Sequence, residues 1–297
     1  MNKENVIKCP ACGSESNEIV LRLKDYFLSG ENYNIHHCEN CQLRFTFPRP
    51  DIDKIGSYYK SDEYISHTNS KKGLVNGVYQ FIRSYNLKSK FSYINQFSNG
   101  KSILDIGCAT GEFLNYFKHF GWQTKGIEPD TSARELAIIN YQLDVKEENE
   151  LNSILPESLD IITMWHVLEH VYHLEERVMQ LHKILKKDGY CFIALPNYLS
   201  YDAKYYNEFW AAYDVPRHLY HFDKTSLLNL MERYGFKFIE TKPMKFDSFY
   251  VSMLSEKYKN QKPNLLNAFR IGMKSNFKAM KSGNYSSLIY VFSKQPI

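Results

Sequence analysis

The stretch that most restricts the fold is Lys101-Ser-Ile-Leu-Asp105-Ile-Gly107-Cys-Ala-Thr-Gly111-Glu-Phe-Leu114. An apolar run ending at an acid, a turn with two glycines and a segment running toward Phe120 read as a buried strand, a glycine turn and a helix. That is the first unit of a doubly wound, mostly parallel α/β sheet, in which ligands bind beyond the carboxyl ends of the strands. Gly107 and Gly111 remove side chains where backbone must approach a ligand, and the helix start aims its free amides at that ligand.

The pattern continues in order. Trp122 to Ile127 reads as a short strand ending at Glu128, with Asp130 placed to cap a helix from Thr131. A third strand around Leu143 to Val145 precedes the polar run Lys146-Glu147-Glu148-Asn149-Glu150. A fourth, Leu159 to Met164, runs into Trp165-His166-Val-Leu-Glu169-His170-Val171. Leu174 to Leu185 has helical spacing, Lys186-Lys-Asp-Gly189 stops it, and Tyr190 to Leu195 forms the next strand before Pro196-Asn197.

The D-x-G-x-x-x-G turn, the V-L-E-H run and the P-N dipeptide together resemble the class I S-adenosylmethionine-dependent methyltransferases, in a branch with quinone and sugar methylating enzymes. The resemblance covers residues 100 to 240. It implies a Rossmann-like methyltransferase fold with a seven-stranded sheet. It also assigns Asp105, Gly107, Gly111 and Glu128 to S-adenosylmethionine, Glu128 through the ribose hydroxyls, with Trp165 and His166 lining the cleft. Glu147 and Glu148 are candidates against the adenine amino group, with a solvated acidic run as the alternative. Glu169 and His170 are expected to fix their loop to the following helix.

Near the N-terminus, Cys9-Pro-Ala-Cys12-Gly13 and Cys38-Glu-Asn-Cys41 repeat the C-x2-C spacing, which lets a tight turn aim two sulfurs at one ion. The expectation is a zinc-ribbon-like module over residues 1–50 with Cys9, Cys12, Cys38 and Cys41 as ligands and short strands at Glu18 to Leu23 and Tyr33 to His37. Four protein ligands leave no open position, so the zinc role is structural. His36 and His37 are expected as exposed strand residues, and Pro48 and Pro50 end the module. Residues 51–99 read as a helical connector, in which Tyr58 and Tyr59 are pocket candidates and Lys71-Lys72-Gly73 an exposed turn. The remaining cysteines, Cys108 and Cys191, read as small buried hydrophobes.

Residues 100–297 form the methyltransferase domain, with an aromatic insert at 198–222 and an irregular, basic insertion at 244–285. The first insert holds nine aromatic residues in 25 and ends in Asp214-Val-Pro-Arg217-His218-Leu-Tyr220-His221-Phe222. Trp210, Tyr213, Asp214 and Arg217 are the substrate-binding candidates, Arg217 as a two-pronged anchor for an anionic acceptor. Methyl transfer requires a base only when the acceptor carries a proton, and the candidates in order are His218, His166 and His221. Lys224 to Tyr234 reads as a helix, with strands at Phe236 to Thr241 and Ser287 to Ser293.

Hydrophobic residues make up 43% and charged residues 24%, values of a globular chain, and no run approaches a membrane span. Residues Met1 to Lys8 lack the apolar core of a secretory signal, and a cytoplasmic location is expected. The net charge of +4 is dispersed, which argues against a nucleic-acid stripe. A small aromatic, sugar or lipid-linked acceptor is the expected partner, with oxygen as the expected methylated atom; the oligomeric state stays open. The competing function is a non-catalytic cofactor-binding module that contacts protein or RNA through its zinc ribbon. An NAD-dependent oxidoreductase is disfavoured by the missing third glycine and by the V-L-E-H and P-N motifs.

Overall fold

The computed structural model describes residues 7–59, 74–98, 100–262 and 264–295. The first strands are β1 Asn17–Lys24, β2 Asn32–Cys38 and β3 Arg44–Phe47. A 3-10 turn at Ile55–Tyr59 and helix α1, Leu74–Ile94, lie in the connector, whose expected turn at Lys71-Lys72-Gly73 is outside the described residues. The central domain runs β4 Ser102–Ile106, α2 Glu112–His119, β5 Gln123–Ile127, α3 Thr131–Tyr141, β6 Asp144–Lys146, β7 Leu159–Trp165, α4 Leu174–Ile184 and β8 Leu185–Pro196. After it come α5 Tyr201–Tyr206, β9 Tyr220–His221, α6 Lys224–Arg233, β10 Phe236–Pro243, α7 Asp247–Asn260, α8 Leu265–Ser282 and β11 Ser287–Lys294.

Seven strands form one sheet in the order β10-β11-β8-β7-β4-β5-β6, with β11 alone antiparallel to its neighbours. Successive side chains of a strand point to opposite faces, and the core divides accordingly. Ile103, Ile161, Phe192 and Val291 pack toward α1 and α2 against Ile94, Leu114 and Phe117. On the other face Leu104, Ile162, Ile193 and Phe292 meet Val178 and Leu181 of α4 and Leu227 and Met231 of α6. The cysteine module joins this second face, because Cys38, Leu43 and Phe45 belong to the same buried cluster.

A second sheet stitches the module to the aromatic insert. Its order is β1-β2-β3-β9, all antiparallel, with Arg44 opposite His221 and Phe45 opposite Tyr220. Thr46 donates its hydroxyl to the His218 carbonyl at 2.7 Å, which leaves that oxygen to accept from His221 Nε2 at 3.0 Å. The Arg233 guanidinium and the Asn229 amide, both from α6, reach the Ala11 and Cys41 carbonyls.

Three expectations change. Residues 244–285 are mostly two helices, and the interior face of α7 is built from Ser248, Ser252, Ser255 and Val251, so no apolar stripe marks it in the sequence. Lys186 to Gly189 is part of β8, bulged out where the register with β7 shifts between Leu159 and Ile161. His36 is buried, stacked on Phe45 at 5.5 Å, with Nδ1 at 2.7 Å from Asn17 Oδ1.

No helix among the described residues is long and apolar enough to cross a membrane. Thr46→Val removes the hydroxyl that serves His218 and His221, leaving two buried polar groups without a partner at a cost of about 1–3 kcal/mol. A urea titration should show a lowered midpoint. An unchanged midpoint would mean that the seam between the cysteine module and the aromatic insert contributes no stability.

Candidate functional site

The glycine turn closes tightly on its neighbours. Gly107, Ala109 and Gly111 have positive φ of 73°, 48° and 82°. A Cβ on Gly107 would stand 2.5 Å from Val167 Cγ2, and one on Gly111 2.6 Å from Leu143 Cδ1. Both positions therefore require glycine for packing as well as for backbone angle.

Glu128 follows β5 and bridges the turn. Its Oε2 accepts from the Ala109 amide at 2.8 Å and its Oε1 from the Asp130 amide at 2.9 Å. Burial raises its pKa, against the pull of those two amides. Asp130 caps α3 through the Ala133 amide. Asp105 is buried in the pleat of β4 and accepts from Thr163 Oγ1 at 2.6 Å. Burial pushes its carboxyl up to about 7, opposed by Thr163 and Lys90. Glu148, an adenine candidate, is instead paired with the Arg177 guanidinium, while Glu147 precedes a 3-10 turn.

Lys90, on α1, was not legible as a site residue. Its Nζ lies 3.6 Å from the centre of the Trp165 ring, and burial lowers its pKa to about 8 against the carboxylates of Asp105 and Asp247. Trp165 stands edge-on to Phe113 at 5.4 Å, and its buried Nε1 has no hydrogen-bond partner.

The loop after β7 leads from this cleft to a second one. His166 has φ 56° and a side chain one-third exposed, with Nε2 3.2 Å from Asp247 Oδ2 and Nδ1 3.6 Å from Glu169 Oε1. Burial pulls its pKa down, but the two carboxylates outweigh that and raise it to about 9. The two carboxylates thus favour the imidazolium form of His166, which has no lone pair to accept a proton. Asp247 was hidden in the insertion read as irregular.

Glu169 is 1% exposed, and neither of its carboxylate oxygens has a hydrogen-bond partner. Burial alone would raise its pKa, yet His166 and the charges of the neighbouring histidines hold it below the ordinary value. Its backbone carbonyl accepts from the Leu219 amide at 2.8 Å. His170 Nδ1 is 2.9 Å from the Arg217 carbonyl and 3.0 Å from the Tyr59 hydroxyl. These bonds fix the loop to the aromatic insert and to Tyr59 of the connector.

That insert walls a small pocket of about 10 Å³, room for one water as it stands, bounded by Glu169, Tyr198, Trp210, His218, His221 and Phe222. His218 is 8% exposed, and its Nδ1 lies 2.9 Å from the Ala212 carbonyl, so the proton belongs on Nδ1 and the Nε2 lone pair is free. Burial, helped by the nearby His170, lowers its pKa to about 4. His221 is also buried and held neutral by burial, well below the ordinary value, with its Nε2 committed to Thr46. Trp210 is buried, donating Nε1 to Asp202 Oδ2 at 2.8 Å, and Tyr213 stands edge-on to it at 5.1 Å.

Arg217 is not available as an anchor for an anionic acceptor. Its guanidinium is closed two-pronged on Asp214, with Nε to Oδ2 at 2.9 Å, donates Nη1 to the Tyr58 carbonyl at 3.1 Å and approaches Asp25 at 3.7 Å. Tyr58 therefore serves this cluster through its backbone. The pair Asp214 and Arg217 shapes a neighbouring pocket of about 10 Å³ with Tyr26, Phe27 and Tyr258.

Among the described residues, two groups of side chains have the donors and spacing of a metal site. In the first, the Sγ atoms of Cys9, Cys12, Cys38 and Cys41 lie within 4.8 Å of one another. Cys9 and Cys41 are 3.5 Å apart and Cys12 and Cys38 3.6 Å, close to the edge of about 3.8 Å of a tetrahedron with zinc–sulfur bonds of about 2.3 Å. The second, Glu169, His170 and His218, brings three ligand-type atoms within the same limit.

Residues 79–241 match the family described as Methyltransferase domain, more than half of the chain. The chain belongs to this family, the class I S-adenosylmethionine-dependent methyltransferases. It is 29% identical over 136 residues to a ubiquinone biosynthesis O-methyltransferase of Haemophilus ducreyi, covering 41% of this chain and 57% of that protein. A protein of the same name from Glaesserella parasuis is 31% identical over 122 residues, 36% of this chain and 52% of its own. The chain thus spans little more than half the length of these relatives. The crystal structure of Haemonchus contortus phosphoethanolamine N-methyltransferase 2 in complex with S-adenosyl-L-methionine shares the fold, with TM-score 0.53 at 15% identity over 93% of this chain and 71% of that one.

Histidine NMR checks the charge assignment: His166 should titrate near 9 and His218 near 4. Because the folded value of His166 exceeds the ordinary value of about 6.5, its stabilising effect is complete below that pH and is lost as pH rises through about 9. Asp247→Asn should move the His166 titration back toward neutrality. A His166 resonance indifferent to Asp247→Asn would show that the ion pair is absent in solution.

Proposed function

We propose that this chain transfers the methyl group of S-adenosylmethionine to a small aromatic, sugar or lipid-linked acceptor, with a hydroxyl oxygen as the accepting atom. The observation that carries the proposal is the continuity of one loop: Trp165 packs edge-on against Phe113 just after the glycine turn, Val167 lies against Gly107, and Glu169, two residues on, lines the aromatic pocket beside His218. Donor and acceptor sites separated by one short loop suit a direct transfer.

The residues of the first cleft fit the nucleoside by donor and acceptor type. Each Glu128 oxygen accepts one amide and keeps a lone pair for a ribose hydroxyl. The glycine turn and the start of α2 present backbone to the amino-acid part, and Lys90 offers a cation to its carboxylate. Trp165 supplies an unpartnered donor and an aromatic edge. The cofactor, when bound, supplies a methyl on a sulfonium, a good leaving group, so the protein's task is alignment and exclusion of water.

In the second cleft His218 Nε2 takes the acceptor's hydroxyl proton. Its low pKa keeps it unprotonated at neutral pH, and the buried Glu169 carboxylate stabilises the imidazolium that forms. Trp210 and Tyr213 confine the acceptor, and the Asp214–Arg217 pair fixes the wall behind them. Zinc on Cys9, Cys12, Cys38 and Cys41 stabilises the module whose β3 strand holds β9 in place, and takes no part in the reaction.

Calorimetry with S-adenosylmethionine should detect binding that Glu128→Ala weakens by about tenfold or more, the loss of a hydrogen-bonded charge. With labelled donor and a cell extract, label should enter small molecules, and His218→Ala should lower that transfer by about 100-fold while leaving cofactor affinity unchanged. Full transfer by His218→Ala removes it as the base, and label found in RNA alone overturns the acceptor class. Metal analysis of the purified chain should find zinc, lost together with thermal stability in Cys38→Ser.

A further inference from the structure

Helix α8 has two faces that apolar residues occupy: one is buried against the protein, and the other is mostly exposed, meeting it where Phe269 stacks on Phe249 at 5.4 Å. Ala268, Ile271, Gly272, Ser275 and Ala279 are buried against the body. At about 100° per residue, Leu266, Phe269, Met273, Phe277 and Met280 gather on a separate arc, where they are 87%, 60%, 53%, 74% and 75% exposed. Arg270, Lys274, Lys278 and Lys281 occupy the next arc, and the helix contains no Asp or Glu.

A contiguous apolar stripe of this kind marks an interaction surface. Its charge selects the occupant. A second copy of the chain laid on the stripe would bring two rows of uncompensated cations together, an arrangement that like-charge repulsion opposes. A bilayer with anionic headgroups satisfies both arcs at once, because the apolar side chains enter the headgroup–acyl boundary and the adjacent cations meet negative phosphates. The helix is too polar on its other faces to insert across a membrane, as its four cations show.

The stripe stands on a rigid support. Ser275 on the inner face of α8 donates to the buried Asp202 at 2.5 Å, and Asn267 bonds to Glu256 of α7. Lys274 and Lys278 lean over the Tyr201 ring at 5.1 and 4.2 Å and Arg270 donates to Asn267 Oδ1 of its own helix at 2.8 Å, so Arg270 and Lys281, at the rim, serve for a charge test. We propose that α8 is an interfacial helix that docks the protein on an anionic lipid bilayer.

Flotation of the full-length, metal-loaded protein tests this with vesicles of phosphatidylcholine containing phosphatidylglycerol, and with vesicles of phosphatidylcholine alone. The protein should float with the anionic vesicles, remain at the bottom with the neutral ones, and be released as salt is raised. The exposed-site variant Leu266→Ser, Phe277→Ser, Met280→Ser should reduce the bound fraction by about tenfold, with thermal melting unchanged. Arg270→Glu with Lys281→Glu should reduce it similarly at low salt, and this pair tests the surface by itself if the serine variant melts early. Absence of flotation, equal flotation on neutral vesicles, or a folded serine variant that floats like wild type overturns the proposal. So does a wild-type dimer that the serine variant dissolves, since a second copy would then cover the stripe. Flotation reads no methyl transfer, so its failure and a failure of the proposed activity are separate results.

Discussion

The backbone of Leu219 joins the three parts of the molecule that the site needs. Its amide donates to the Glu169 carbonyl at 2.8 Å, and its carbonyl accepts from the Thr46 amide at 2.9 Å. A buried backbone group without a partner is costly, and here both partners come from distant elements: the loop after β7 and strand β3 of the cysteine module. The consequence reaches the chemistry, because His218 and Tyr220 flank Leu219 and have little freedom to move. Folding of the four-cysteine module and histidine placement in the second cleft are therefore coupled through one residue's hydrogen bonds.

Much of this was legible in the sequence where the information is local. The Asp105 to Gly111 turn, the Glu128 strand tip and the spaced cysteine pairs depend on residues close in the chain, and the structure brings Cys9, Cys12, Cys38 and Cys41 together. What was not legible is non-local or carried by small polar residues. The pairing of Phe45 with Tyr220 joins positions that no spacing relates. Helix α7 hides because serines form its inner face, and with it went Asp247 and the ion pair that makes His166 a cation. Arg217 misled for a related reason: the sequence shows a free cation in an aromatic segment, whereas its partners Asp214 and Asp25 include one almost two hundred residues upstream.

Burial sets the charge states of the two clefts in opposite directions. In the first, desolvation pushes Asp105 up and Lys90 down, which brings an acid and a base to about 7 and 8 within one another's field. Around the second, a cation at His166 and an anion at Glu169 balance, leaving His218 and His221 neutral. The two oxygens of Glu169 have no hydrogen-bond partner, and the His166 ring faces them, with Nδ1 3.6 Å from Oε1. The charge of Glu169 acts on His218 too, yet burial outweighs it and holds that imidazole at about 4.

The same economy of anchors links the interior to the surface. Asp202 is fully buried and accepts from Trp210 Nε1 at 2.8 Å, from Ser275 at 2.5 Å and from Ser286 at 2.7 Å. One carboxylate thus holds the wall of the aromatic pocket, the inner face of α8 and the approach to β11. Removing any of its donors would leave a buried charge undersatisfied, so the three elements are held in one relative position. Because the exposed stripe of α8 and the aromatic cavity share this anchor, a surface that seats the helix also sets the orientation in which the cavity faces that surface.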